Sequence, residues 1–178
     1  YVFNRTKDFK QGFFQAPAKN MIKRTLEKVM SEDLSEIWTV LDSEEKRRII
    51  DAFEIHNFKK NQMIYAEGEE PEFLWCLLQG KVKKFKDGVG GRVQILRLIR
   101  SVQYFGYRAY FAKEPYNSSA AAFEQSVVGT LPMTLVEDMI NKNPKLAWFF
   151  IHELSRNLGG SDTKIVNLTQ KHIRGRLA

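Results

Sequence analysis

Phe73-Leu74-Trp75-Cys76-Leu77-Leu78-Gln79-Gly80-Lys81-Val82-Lys83-Lys84-Phe85 (residues 73–85) is the stretch that decides the fold. It holds two short β-type runs, Phe73 to Leu78 and Lys81 to Phe85, joined at Gln79-Gly80, where a glycine permits a tight turn. The same texture repeats on both sides. Upstream lie Glu54 to Phe58 and Gln62 to Tyr65, followed by a turn at Gly68. Downstream lie Arg92 to Ile99, entered through Asp87-Gly88-Val89-Gly90-Gly91, then Ala120 to Glu124 and Ser126 to Leu131. Short β runs punctuated in this way read as a barrel or sandwich. Within Arg92 to Ile99, Val93, Ile95, Arg97 and Ile99 fall on one side and Gln94, Leu96 and Leu98 on the other. Both sides are largely apolar, which predicts a well-buried strand.

Outside this β-rich middle the apolar period is helical. Asn20 to Met30 carries Ile22, Leu26 and Val29, and Ser31 to Leu41 carries Leu34, Ile37, Trp38 and Leu41. Asp42 and Glu45 then form a capping-box signature for a short helix with Ile49, Ile50 and Phe53 as its apolar face. Before all of these, Tyr1 to Asn20 interleaves aromatic and basic residues and is broken by Gly12 and Pro17. An irregular arm that packs its Phe side chains on the main domain is expected; stacking on nucleic-acid bases is the alternative.

After Pro132 a helix is expected over Met133 to Asn141, then a long one with Asn143 as N-cap and Pro144 at the first helical position, running beyond His172. Its apolar positions, Ala147, Ile151, Leu154, Leu158, Ser161, Ile165 and Leu168, recur in steps of three and four, the spacing of a coiled-coil seam. A parallel homodimer along Ile151, Leu154, Leu158, Ser161, Ile165 and Leu168 is the expectation. The alternative is a helix laid against its own domain, which usually buries a wider stripe. Gly159 and Gly160 each cost about 1 kcal/mol relative to alanine inside a helix. Close approach of a second helix or of a ligand would explain them, as would a kink.

The chain has 178 residues, 43% of them apolar, enough for one main domain with appended helices. A net charge of +7 suits a polyanionic partner without identifying one. No apolar run approaches the roughly 20 residues of a bilayer-spanning helix, and the opening residues are not signal-like. A cytoplasmic protein with no membrane partner is expected. The single cysteine, Cys76, sits in an apolar run and reads as a buried, inert thiol.

Several segments resemble the motifs of the Crp/Fnr family of bacterial transcription regulators. Phe58-Lys59-Lys60-Asn61-Gln62-Met63-Ile64-Tyr65-Ala66-Glu67-Gly68 is similar to the strand, turn and strand that end in Glu-Gly in cyclic-nucleotide-binding domains. Leu77-Leu78-Gln79-Gly80-Lys81-Val82 resembles the family's leucine-x-glycine-x-valine hairpin. Tyr104 to Phe111 followed by Pro115 to Ala120 resembles its phosphate-binding cassette, and Leu158 to Ala178 resembles the end of its dimerisation helix and the first turn of its DNA-binding domain.

The resemblance implies an α+β chain: a small β-roll (a double-stranded β-helix) flanked by N-terminal helices and a long C-terminal dimerisation helix. It divides into 1–41 (arm and helices), 42–142 (β-roll sensor domain) and 143–178 (dimerisation helix and start of the DNA-binding domain). It implies an effector pocket bounded by Phe105, Gly106, Tyr107, Arg108, Asn117, Ser118, Ser119 and Ala120, with Ser161 and Asp162 reaching in from the long helix. In the family's cassette a glutamate takes the ribose hydroxyl and an arginine neutralises the phosphate. Tyr107 and Asn117 stand at those two places here. Cyclic AMP is therefore not the expected ligand. Ser118, Ser119 and the helix amides can hold another small molecule of unknown identity; the alternative is a pocket filled by aromatic side chains. As implied partners, DNA and RNA polymerase belong to a winged helix-turn-helix domain that would begin where this chain stops.

Small β-rolls also house cupin-type enzymes, whose chemistry needs clustered histidines and a carboxylate. His56, His152 and His172 are far apart, with no His-x-His pair, so neither a catalytic nor a metal site is expected. A haem-binding regulator can use a single histidine as axial ligand, which leaves a haem sensor as an alternative, and a nucleotide module of a channel or kinase as another. One cysteine cannot supply the usual four ligands of an iron-sulfur cluster.

Overall fold

The computed structural model describes residues 35–88 and 93–174, and side chains between residues 37 and 160. The expected arm at Tyr1 to Asn20, the expected helix over Asn20 to Met30 and the side chains of Ser161, Asp162, Ile165, Leu168 and His172 lie outside the described residues.

Two helices, α1 (Ser35–Val40) and α2 (Ser43–Ala52), lead into the strands. The expected capping box forms between them. The Asp42 carboxylate accepts from the Glu45 backbone N–H at 2.8 Å, and the Glu45 carboxylate accepts from the Asp42 backbone N–H at 2.9 Å. Ile49 and Phe53 turn inward, as the apolar face requires.

The strands are β1 (Glu54–Phe58), β2 (Met63–Tyr65), β3 (Phe73–Gln79), β4 (Lys81–Asp87), β5 (Val93–Arg100), β6 (Tyr104–Phe105), β7 (Ser119–Ala122) and β8 (Ser126–Pro132). A short helix, α3 (Tyr107–Ala112), follows β6, and α4 (Met133–Lys142) and α5 (Pro144–Arg174) end the described chain. The strands form two antiparallel sheets, ordered β1-β8-β3-β6 and β2-β7-β4-β5. The links β1 to β2, β3 to β4 and β7 to β8 each carry the chain from one sheet to the other, which is the topology of a β-roll. The turn at Gly80 thus differs from a paired hairpin: β3 pairs with β8 and β6, while β4 pairs with β5 and β7. Gly80 itself is required twice over. Its φ is +91°, and a Cβ there would stand 2.5 Å from the Gln125 carbonyl oxygen.

Strand β3 explains why its sequence is apolar without alternation. Trp75 and Leu77 face the space between the sheets, whereas Leu74 and Cys76 face a second core against α1, α2, α4 and α5. Both faces are covered, so the run has no reason to alternate. Burial pushes the Cys76 thiol up to about 12, which leaves it protonated and unreactive.

Strand β5 does not follow its sequence. It pairs only with β4 and forms the edge of its sheet. Ile99 is buried, but Val93, Ile95, Leu96 and Leu98 are all at least 41% exposed. The expectation of a well-buried strand is thereby corrected: among the described residues no element covers the outer side of this edge. A two-residue strand, β6 at Tyr104–Phe105, is too short to leave a pattern in the sequence.

Helix α5 starts as expected, with the Asn143 side-chain oxygen accepting from the Lys145 backbone N–H at 3.1 Å. Its apolar positions divide between two sides. Leu146 and Phe150 are buried in the helical core and Leu154 packs against it, while Trp148, Ile151 and Leu158 face solvent.

Gly129, on β8, lies under the ring of Phe53, whose atoms occupy the space of any Cβ at that position. Phe53 is buried and cannot swing out without opening the core. Gly129→Ala should lower stability by roughly 2–3 kcal/mol through overpacking, read as a fall in the urea midpoint at unchanged slope.

Candidate functional site

The segment from Tyr104 to Ala120 builds one wall of the roll. Gly106 enters α3 with φ +90°, and a Cβ on it would stand 2.6 Å from Cδ1 of Trp75. Only glycine satisfies both demands. Phe105 is buried and stacks on Trp75 with ring centres 6.2 Å apart. Deeper in, Tyr116 stacks on Tyr65 at 3.8 Å, and its hydroxyl accepts from the Trp75 indole N–H at 3.2 Å. Aromatic rings therefore occupy the space between the sheets at this end.

The remaining cassette residues face several ways. Tyr107 is buried, with its ring against Phe150 and Phe111, and its hydroxyl accepts from the Asn157 amide at 3.0 Å. Arg108 is exposed and reaches Glu114 at 3.4 Å. Asn117 is exposed and accepts from the buried Ser118 hydroxyl at 3.3 Å. Ser119 accepts from the Glu67 backbone N–H at 3.0 Å, which ties the cassette to the Glu67-Gly68 turn. Ala120 has no exposed surface. Phe105, Gly106 and Ala120 thus line the interior, while Tyr107 has turned towards α5 and Asn117 towards solvent.

Sequence reasoning missed a second group. Strand registers place Tyr65 opposite Ala120, Ala120 opposite Lys84, and Lys84 opposite Arg97, in one row across β2, β7, β4 and β5. The row lies on the inner face, one step of two residues along from the buried Val82 and Ile99. The Arg97 guanidinium donates to the Asn157 side-chain oxygen, so Asn157 holds α5 to both β5 and α3. Burial, aided by the Arg108 and Arg97 charges, lowers the pKa of Lys84. The linear signal was faint: alternation placed Arg97 on the side of Ile99, but pairing with Lys84 depends on a register that no single segment encodes.

His56 lies on β1, its Nε2 at 3.1 Å from the Thr130 hydroxyl, and burial lowers its pKa against the opposing pull of Glu54. His152 is exposed on α5. The described structure does not bring either of them to the cassette by any hydrogen bond or ring contact.

The family profile described as "Cyclic nucleotide-binding domain" matches residues 55–143. Among curated relatives, the CRP-like cAMP-activated global transcriptional regulator of Mycobacterium tuberculosis is 24% identical over 68% of this chain and 54% of its own length. The fumarate and nitrate reduction regulatory protein of Vibrio cholerae is 27% identical over 67% of this chain and 48% of its own. The chain therefore spans about half the length of these regulators. A cGMP-dependent protein kinase of Toxoplasma gondii is 27% identical over 73% of this chain but only 14% of its own length. Among solved structures, the sensor domain of the transcriptional regulator DNR from Pseudomonas aeruginosa superposes with a TM-score of 0.68 at 18% identity, covering 79% of this chain and 93% of that one. It shares the fold.

The buried phenols carry a pH signature. Burial pushes Tyr107 and Tyr116 up to about 12 and raises Tyr65 and Tyr104 as well, from an ordinary value of 10.0. These folded-state values exceed the unfolded one, so the stability they contribute is complete below pH 10 and is lost as the pH rises from there through about 12. Each phenol should add up to about 1.4 kcal/mol per pH unit to the slope. Urea unfolding followed from pH 9 to 12 should show stability falling steeply above about pH 10, and a flat profile there would contradict the burial of these rings.

Proposed function

Because this chain belongs to the cyclic nucleotide-binding domain family, with Crp/Fnr-type transcription regulators among its relatives, we propose that it is the effector-sensing and dimerising portion of such a regulator. The observation that carries this reading is the divided surface of α5. Leu146 and Phe150 already satisfy the domain's own core, yet Trp148, Ile151 and Leu158 leave a second apolar line open to solvent on the same helix. Leaving it exposed forgoes about 25 cal/mol for every Å² of apolar surface. The helical backbone continues without interruption to Arg174. A Cβ at Gly159 or Gly160 would meet nothing within 4 Å among the described residues outside its own turn of helix. Approach of a second copy gives those glycines a purpose, and Ile151, Leu158, Ile165 and Leu168 a partner. Leu154 belongs to the seam by spacing but also serves its own domain.

In this reading the cassette, with Ser161 and Asp162 of the long helix, surrounds an effector, and DNA and RNA polymerase are met through a helix-turn-helix outside these residues. The protein is cytoplasmic and acts as a switch, not as an enzyme. An effector moves the switch only by its differential affinity for two arrangements of the dimer. A kinase-associated module is the competing reading, supported by the Toxoplasma match; the long helix with its open apolar line favours the regulator. Reading the gene past the codon for Ala178 separates the two.

Two outcomes test the proposal. Ile151→Glu combined with Leu158→Glu changes only exposed positions, so it should leave the fold intact and give monomers in sedimentation velocity; a dimer that survives both changes would overturn the seam. Cyclic AMP and cyclic GMP should show no binding at micromolar concentration in calorimetry, because a bidentate charged contact to the phosphate and the ribose acceptor are both replaced. Micromolar affinity for either would return the chain to the nucleotide-sensing branch of the family.

A further inference from the structure

The inner face of the second sheet changes character within two residues. Ala122, Val82 and Ile99 form one row and are buried. The next row, Tyr65, Ala120, Lys84 and Arg97, ends in two cations set directly opposite each other. Like charges in that position destabilise an antiparallel pair. Among the described residues Lys84 has no carboxylate within ion-pair distance, and Arg97 is met by the neutral amide of Asn157. Arg108, on α3, adds a third positive charge close enough to act on both Lys84 and Tyr65, and its own partner, Glu114, is exposed and 3.4 Å away.

The same row holds an orphaned polar atom. The Tyr65 hydroxyl is buried and meets no hydrogen-bond partner among the described residues, a condition that destabilises the fold unless a ligand relieves it. Between it and Lys84 stands Ala120, fully buried, so that the open part of the row is its cationic end, where Lys84 and Arg97 are only partly buried. Lysine and arginine are donors only, and the free phenol has a proton to give. Every group at this spot therefore calls for an acceptor, and the charge calls for an anion.

We propose that this row is an anion site, which binds a small molecule through a carboxylate or phosphate group set against Lys84, Arg97 and the Tyr65 hydroxyl. It deepens the sensor reading by naming the effector's class, and it rests on that reading for the site's role. The cations that hold the ligand come from β4 and β5, whereas the cassette positions Tyr107 and Asn117 stand on α3 and just ahead of β7. Arg97 already holds Asn157, so an anion that recruits its guanidinium bears directly on α5. The effector and the long helix share one side chain.

The test uses the whole chain, with inorganic phosphate and benzoate as separate probes against sodium chloride at matched ionic strength. At least one probe should raise the thermal midpoint by roughly 3–5 °C. Phosphate alone would assign a phosphate-bearing ligand, and benzoate alone a carboxylate. Lys84→Met should abolish the rise and, in chloride, should itself raise the midpoint by removing an unpaired charge. Lys60→Met, in an exposed turn, should keep the rise. A midpoint that neither anion moves in the unsubstituted chain, or a Lys84→Met chain that responds as fully as the original, would overturn the assignment. The readout needs neither DNA nor a dimer. If sedimentation finds a monomer while phosphate binding persists, the regulator reading fails and the anion site stands.

Discussion

Leu77 on β3 and Val128 on β8 stand opposite each other and have no exposed surface. Val82, from the other sheet, meets them with none either. The closure of two sheets on this apolar contact is the constraint from which the other features follow. Burial of a side chain of this size is worth about 1.5–3 kcal/mol, and here it also sets register. Once Val82 must face inward beside Ile99, the pleat obliges Lys84 and Arg97, two residues along, to face inward as well. The cationic row is thus a consequence of how the core is placed, and its sequence is a choice the core did not require. Alanine or valine at those two positions would extend the core and remove the repulsion.

What could be read from the linear sequence divides by range. Local chemistry was legible: the Asp42 and Glu45 capping box, the glycine demanded at position 80, the Asn143 and Pro144 start of α5 and most strand positions all depend on neighbours a few residues away. The exposure of β5 was not legible, because an edge strand and a central strand can carry the same apolar residues, and only the sheet order tells them apart. Nor was the division of α5, since Leu154 fits the spacing of a dimer seam and the face of a cis-packed helix equally well. In the cassette, the resemblance bounded a pocket with Phe105 to Arg108 and Asn117 to Ala120 alike. It had no means of showing that Tyr107 would lean on Phe150 or that Lys84 and Arg97 would face each other across β4 and β5.

The aromatic filling of the roll bears on the same site. Tyr65 serves twice: its ring stacks on Tyr116 as part of the core, while its hydroxyl ends in a region with no acceptor. A phenylalanine there would pack as well and carry no such cost. A polar atom buried at a loss calls for an explanation, and so does the edge of β5, where Ile95 and Leu98 stand exposed.

Asn157 gives α5 a mechanical character. Leu146 and Phe150 rivet the first turns of the helix to the domain, and Asn157 pins it to Tyr107 and Arg97. From that pin the rod runs on to Arg174, a span of about 25 Å at the rise of an α-helix. It is a lever whose far arm lies beyond the amide of Asn157. A tilt of about one degree at the fulcrum moves the far end by roughly 0.4 Å over that length. The amide oxygen accepts from the arginine and the amide N–H donates to the tyrosine, so one residue of the rod answers to both β5 and α3.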